Sequence, residues 1–333
     1  MNRILAVVCC LVQALLALPA GGREGTPLRA ELLGTTVMDV PPGQYSGISY
    51  ISGKRYAVVH DNAGGGGIWY FSIPLPQGGS FGTILAEPAI ATPGSREQRD
   101  SEGIAYVPST GSFFVSGEAR QDILEYGLDG RPTGRSLAVP ERFGADRIRG
   151  NCGFEALTFS PQTGLFWTTT EMPLIADGTA ADGPQLLRLQ SFALSDLEPR
   201  EERLYLTEAP EERPDGARSY VFGVPALAAL PDGRLLVMER EVFVPSGSLL
   251  EQFRLAHTRT RIFVVDPRTE STEALEKELV IDFQTRALDL ADYEGMCLGP
   301  VLEDGAQTLL LIADSQGGMS GLLQEWVRVY ALR

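Results

Sequence analysis

Residues 102–118 read EGIAYVPSTGSFFVSGE, and residues 155–171 read EALTFSPQTGLFWTTTE. Each stretch opens on an acid followed by a small residue and a short apolar run. It then passes through a Pro-x-Thr-Gly turn into a second apolar run that ends on another acid. Two apolar runs joined by such a turn read as an antiparallel hairpin, because Pro presets φ at the turn and Gly tolerates the positive φ that closes it. The same opening recurs at Ser46–Tyr50, Pro225–Ala229 and Glu294–Leu298. The second run recurs as Tyr56–Asp61, Leu235–Glu239 and Leu309–Asp314.

Working outward, a third run of alternating character follows each hairpin: Ile68–Ile73, Ile123–Leu128, Leu186–Phe192, Arg261–Val265 and Val327–Leu332. A fourth stretch closes most units, at Thr83–Ile90, Arg135–Val139, Arg203–Thr207 and Glu278–Ile281. Repeated four-stranded meanders predict an all-β chain, a β-propeller of five four-stranded blades. A sixth blade stays open if Asp177–Pro184 or Glu208–Tyr220 hides a strand pair, and a β-sandwich is the architectural alternative. The fifth unit runs out of chain after Leu332, so Leu28–Asp39 is expected to supply its outer strand and tie the ends of the ring together. Trp69, Trp167 and Trp326 fall within strands and read as blade packing.

The N-terminus differs from the rest. Asn2-Arg3 precedes an apolar run from Ile4 to Leu18, and Pro19-Ala-Gly-Gly22 follows it. That pattern predicts a signal peptide over residues 1–20, a short linker at 21–27 and one propeller domain over 28–333, exported to the periplasm or the medium. The mature chain is expected to begin between Ala20 and Arg23. No later segment is long and apolar enough to predict a membrane span.

Forty-three acidic residues against 28 basic ones give a net charge of −15. Such a surface repels nucleic acid and anionic lipid and suits cations. With His60 and His257 the only histidines, and no cysteine pair at metal spacing, a zinc site is excluded. Cys152 and Cys297 fall in units that are not neighbours and read as separate thiols. Gly64–Gly67 reads as a hairpin loop, since it lacks the Lys and helix of a nucleotide loop, and no G-x-S-x-G elbow is present.

The repeat sets two kinds of acid in register. Glu102, Glu155 and Glu294 precede the first strand, with Asp100 and Asp292 two residues earlier. Asp61, Glu118, Glu171, Glu239 and Asp314 end the second. In an antiparallel hairpin these two positions lie at the same end, so the acids should converge on one mouth of the ring. Crowded carboxylates need a cation, an arginine or protonation. The alternative is a set of turn acids that bond backbone amides. Oxygen-only ligands favour Ca²⁺, held by part of Asp100, Glu102, Glu155, Glu171 and Glu294. Glu118 or Glu239 would then serve as base, with Arg120 or Arg240 beside developing negative charge, and Glu171 counts among the catalytic residues as well as the ligands.

Asp100–Ala105, Asn151–Glu155, Thr170-Glu171, Met238-Glu-Arg240 and Asp292–Gly295 together resemble the phytase-like domain family, also described as "esterase-like activity of phytase". The resemblance runs from about Gly47 to Arg333. It implies a secreted propeller that hydrolyses phosphate or other esters, a monomer acting on a small anionic or ester substrate. A non-catalytic binding propeller and a lactonase-like calcium propeller are the competing readings. The D-x-D-D-type motif of the calcium-dependent propeller phytases is absent, so their calcium–phosphate site does not carry over. Cys152 sits inside the Asn151–Glu155 motif, and Val224-Pro225 replaces the acid of the fourth unit.

Overall fold

The computed structural model describes residues 27–41, 43–60, 67–88, 100–178, 183–316 and 323–333. The signal-peptide region, Asp61 and Gly64–Gly66 lie outside the described residues. The chain enters on β1 (Ala30–Val37) and then builds four complete meanders. Blade 1 is β2 (Tyr45–Ser52), β3 (Arg55–His60), β4 (Gly67–Ser72) and β5 (Leu85–Pro88). Blade 2 is β6 (Ser101–Val107), β7 (Ser112–Gly117), β8 (Asp122–Gly127) and β9 (Pro132–Ser136). Blade 3 is β10 (Phe154–Ser160), β11 (Leu165–Thr170), β12 (Leu186–Ala193) and β13 (Pro199–Leu206). Blade 4 is β14 (Ala217–Ala229), β15 (Leu235–Pro245), β16 (His257–Val265) and β17 (Lys277–Arg286). Blade 5 combines β18 (Asp292–Val301), β19 (Gln307–Asp314) and β20 (Trp326–Leu332) with β1 as its outer strand.

The five four-stranded antiparallel sheets form a five-bladed propeller. The closure is the expected one: β1 runs antiparallel to β20 from Ala30 opposite Leu332 to Val37 opposite Trp326. Arg29 and Arg333 add a reciprocal pair of backbone hydrogen bonds at 2.8 Å. No sixth blade hides in the fourth unit. There β14 and β15 run on past the blade, pairing Ser219–Gly223 with Arg240–Val244, and the short helix α1 (Leu249–Leu255) follows.

The second strand of each blade is the wedge that holds the ring. It is buried on both faces, so consecutive side chains serve opposite neighbours. Phe113 packs with Val59 and Ile104 between blades 1 and 2, whereas Phe114 joins Phe166 and Phe192 between blades 2 and 3. Phe166/Trp167, Val237/Met238, Leu310/Leu311 and Ala57/Val58 divide in the same way, giving one apolar cluster per interface. A strand covered on both sides reads as a continuous apolar run rather than an alternating one, which is why these segments stood out in the sequence. Cys152 and Cys297 are both free thiols. No helix among the described residues is long and apolar enough to cross a membrane.

The inner strands meet backbone to backbone around the axis. Each carries a register shift at the same level, between Tyr45 and Ile48, Ser101 and Ile104, Phe154 and Ala156, Gly223 and Ala226, and Tyr293 and Gly295. A bulge leaves a residue unpaired and re-aims its side chain. Here the displaced positions include Glu102, Glu155 and Glu294. The following small residue allows the approach, since a methyl on Gly103 would stand 2.7 Å from the Glu155 carbonyl oxygen and from the Leu157 amide. Gly103→Ala is therefore expected to cost about 1–3 kcal/mol, the usual range for overpacking, in urea unfolding. Gly67→Ala, where an added methyl meets nothing within 4 Å, should be close to neutral.

An acidic mouth divided by one arginine

The bulges and the ends of the second strands bring carboxyls from three blades to one end of the axis. Blade 2 contributes Asp100, Glu102 and Glu118, blade 3 Glu155 and Glu171, and blade 5 Asp292, Glu294 and Asp314. Glu155 and Glu294 line a narrow axial channel beside Gly47, Gly103, Pro225 and Met296. Blade 4 offers Pro225 at the position where its neighbours carry an acid, and Arg240 fills the gap from the adjacent strand.

Arg240 is 4% exposed. Its Nη1 donates to both oxygens of Asp292, at 2.9 and 3.0 Å, and to Glu294 of the same blade. Its Nη2 donates to Glu171 of blade 3. One guanidinium thus neutralises acids on both flanking blades, and only Nε is left without an acceptor among the described residues. Burial alone would favour the neutral arginine, but the surrounding acids outweigh it and hold the group charged. Glu171 is seated by its own backbone: its N–H donates to the Gly153 carbonyl at 2.7 Å, and its carbonyl accepts from Val224 N–H at 3.0 Å.

The blade 2 carboxyls have no such partner in Arg240. One oxygen from each of Asp100, Glu102 and Glu118 lies within 4.8 Å of the other two. Glu118 Oε1 accepts the Gly153 N–H at 2.6 Å, while Oε2 is buried with no donor among the described residues. Burial pushes the Glu118 carboxyl up to about 7. The Gly153 amide opposes that rise, while Glu171 and Asp100 add to it.

Glu155 stands between the two groups. Protein encloses it, yet part of its surface opens to the channel. Burial raises its carboxyl well above the usual range, and Glu102, Glu171, Glu118 and Glu294 raise it further. Glu294 is pushed up to about 8, chiefly by burial, with Arg240 pulling the other way and Asp292 and Glu171 adding to the rise. Asp314, opposite Asp292 in the β18–β19 pair, rises to about 10 through burial and the charge of Glu294, against the donated N–H of Gln316. Cys152 borders Glu171, but burial and the acids push its thiol up to about 12, so it is no thiolate nucleophile.

One of the expected catalytic residues, Glu239, lies apart from this cluster. β15 continues to Pro245, so Glu239 falls inside the strand and faces away from its neighbour Arg240, into the interface with blade 3. There it accepts from Tyr205 Oη at 2.7 Å, Lys277 Nζ at 2.8 Å and the Glu208 N–H at 3.1 Å, with Arg261 at 3.6 Å. Arg120 is exposed in the β7–β8 turn. Among the buried acids without a register signal is Glu325, just before β20, which accepts the Gly43 N–H at 2.8 Å and the Ser315 hydroxyl.

The chain belongs to the phytase-like family, whose model, described as "Esterase-like activity of phytase", matches residues 40–316. No curated protein matches the sequence. Similar solved structures include RS223-Beta-xylosidase, 10% identical with a TM-score of 0.48 over 90% of this chain and 95% of that one. The calcium-free GH43 beta-xylosidase/alpha-arabinofuranosidase CoXyl43, from a compost microbial metagenome, is 11% identical with a TM-score of 0.46 over 91% and 96%. The PQQ-bound aldose sugar dehydrogenase of Streptomyces coelicolor is 11% identical with a TM-score of 0.42 over 92% and 99%.

The raised carboxyls set the pH dependence of the metal-free protein. A group whose folded pKa lies above its unfolded one contributes stability that is complete below the unfolded value and is lost as the pH climbs through the folded value. With Glu118 at about 7 and Glu294 at about 8, Tm in chelator should fall steadily between about pH 5 and about pH 9. A Tm that rises across this window would contradict the assignment.

Proposed function

We propose that the chain is an exported hydrolase of small phosphate or carboxylic esters, working at the acidic mouth with a hard divalent cation, Ca²⁺. The family supports the ester chemistry, and the apolar run from Ile4 to Leu18 supports export. The observation that carries the reading is Glu155, a carboxyl that opens to the channel while burial and the neighbouring acids push it well above the usual range. Carboxyls of one kind held in unlike surroundings are the arrangement that divides acid and base roles between like groups.

The oxygen donors of the mouth fit a hard cation, as neither imidazole nor thiolate is needed to complete a set. When bound, such an ion would polarise the ester oxygen and lower the pKa of an attacking water. Glu155 then donates its proton to the departing alcohol. Arg240 plays a positioning part, since its contacts with Glu171, Asp292 and Glu294 fix the walls of the mouth and leave only Nε for anything else. The free volume of the channel neck is only about 10 Å³, room for about one water. The substrate therefore docks against the mouth and does not enter the axis.

Glu155→Gln preserves volume and removes the titrating proton. Against a panel of phosphomonoesters and carboxylic esters with Ca²⁺ present, kcat should fall at least about a hundredfold, as loss of an acid–base group commonly does, while the melting curve stays cooperative. A wild-type protein inactive on the whole panel would favour a binding propeller. Full turnover by Glu155→Gln would remove the chemistry from the channel.

A further inference from the structure

The mouth carries two groups of acids with different needs. We propose that Asp100, Glu102 and Glu118 of blade 2 form a single calcium site, and that Arg240 occupies the place of a second cation. As the cation of a hydrolase this site rests on the reading above, whereas binding itself requires no catalysis.

The geometry suits calcium. Ligands on opposite sides of an ion at about 2.4 Å stand about 4.8 Å apart, and the three blade 2 oxygens all lie within 4.8 Å of one another. They can therefore share one ion without moving apart. The ligand-poor state of Glu118 points the same way. It is 1% exposed and anchored through Oε1 to the Gly153 amide, yet its buried Oε2 has no donor among the described residues. The carboxyl facing it, that of Asp100, stands within hydrogen-bonding reach and is itself an acceptor when ionised. A buried carboxylate oxygen with no donor among the described residues is costly unless a cation completes it. Two backbone contacts hold the pair in place: Glu118 N–H donates to the Asp100 carbonyl, and Gln121 Nε2 donates to the Glu118 carbonyl, each at 2.8 Å.

The opposite half already holds a cation. Glu171, Asp292 and Glu294 each accept from Arg240, so an ion placed among them would displace or repel a buried guanidinium. This divides the wider set of expected ligands: Asp100 and Glu102 stay with the ion, Glu171 and Glu294 belong to Arg240, and Glu155 lies between. Three carboxylates leave the remaining calcium positions to water or substrate oxygens on the open side of the mouth.

Calorimetric titration of the full chain with Ca²⁺, after chelator treatment, should find one site. Asp100→Asn and Glu118→Gln should weaken it at least about tenfold, whereas Glu294→Gln should leave it within about twofold, as expected when Asp100 and Glu118 are ligands and Glu294 is not. Melting curves supply a control for folding. In chelator, Glu118→Gln should melt no lower than wild type because it removes repulsion, and it should lose the calcium-induced rise in Tm. Asp100→Asn, nearer the rim, serves the same purpose if Glu118→Gln does not fold. Arg240→Ala should bind two calcium ions instead of one. No binding by wild type at millimolar Ca²⁺, or a site lost in Glu294→Gln and kept in Glu118→Gln, would overturn the proposal. Calcium binding by a protein inactive on every ester would sink the hydrolase reading alone, and ester turnover by a protein that binds no calcium would sink this site alone.

Discussion

A guanidinium with three carboxylates around it, enclosed where five strands converge, sets the terms for the rest of the mouth. Arg240 reaches from blade 4 to Glu171 on blade 3 and to Asp292 and Glu294 on blade 5. An ion pair taken out of water gives little net stability by itself, but removing one partner leaves the others stranded. The bridge therefore acts as a constraint more than as a source of energy: the blades that carry these acids must close around blade 4 in one arrangement. It also explains Pro225. An acid there, in register with Glu102, Glu155 and Glu294, would add a further charge to a group with one guanidinium.

The acids reach the mouth because of how the ring packs. Second strands buried on both faces pull the blades together, and the inner strands then approach so closely that glycine or alanine is required after each bulge. The bulge that permits this approach also releases the preceding side chain from the ladder. Close packing and an inward-facing carboxyl are thus two results of one backbone feature. The resulting crowd of acids works against stability at neutral and alkaline pH, a cost commonly accepted at functional sites.

The blades were legible in the sequence because their signals are local. A Pro-x-Thr-Gly turn, an apolar run and a closing acid fall within seventeen residues in two units, and the apolar run with its closing acid recurs in the others. The missing outer strand of the fifth unit also pointed to Leu28–Asp39 before any pairing was known. Side-chain direction was less legible. The pairing sets Arg240, two residues past the Met238 that faces Ala226, level with Glu171, two residues past the Thr169 that faces Ala156; Glu239 lies one step short of that position, and in an extended strand a single step turns a side chain to the other face. Arg240 rather than Glu239 therefore faces the mouth. Glu325 carried no periodic signal, since it lies just before a third strand and meets Gly43 and Ser315 only through folding. The separation of the acids into an arginine-held half and a half without it depends on distances between blades, which no spacing along the chain encodes.

The most direct test of this account is the unfolding free energy of Arg240→Met in chelator at about pH 5 and about pH 8. Met roughly preserves volume and removes the charge. If Arg240 is the counter-ion of the mouth, the substitution should cost about 3–5 kcal/mol at the higher pH, as breaking a buried pair does. It should cost clearly less at the lower pH, where Glu294, with its carboxyl pushed up to about 8, is protonated. A loss below about 1 kcal/mol at both values, within the range of an exposed ion pair, would contradict the account.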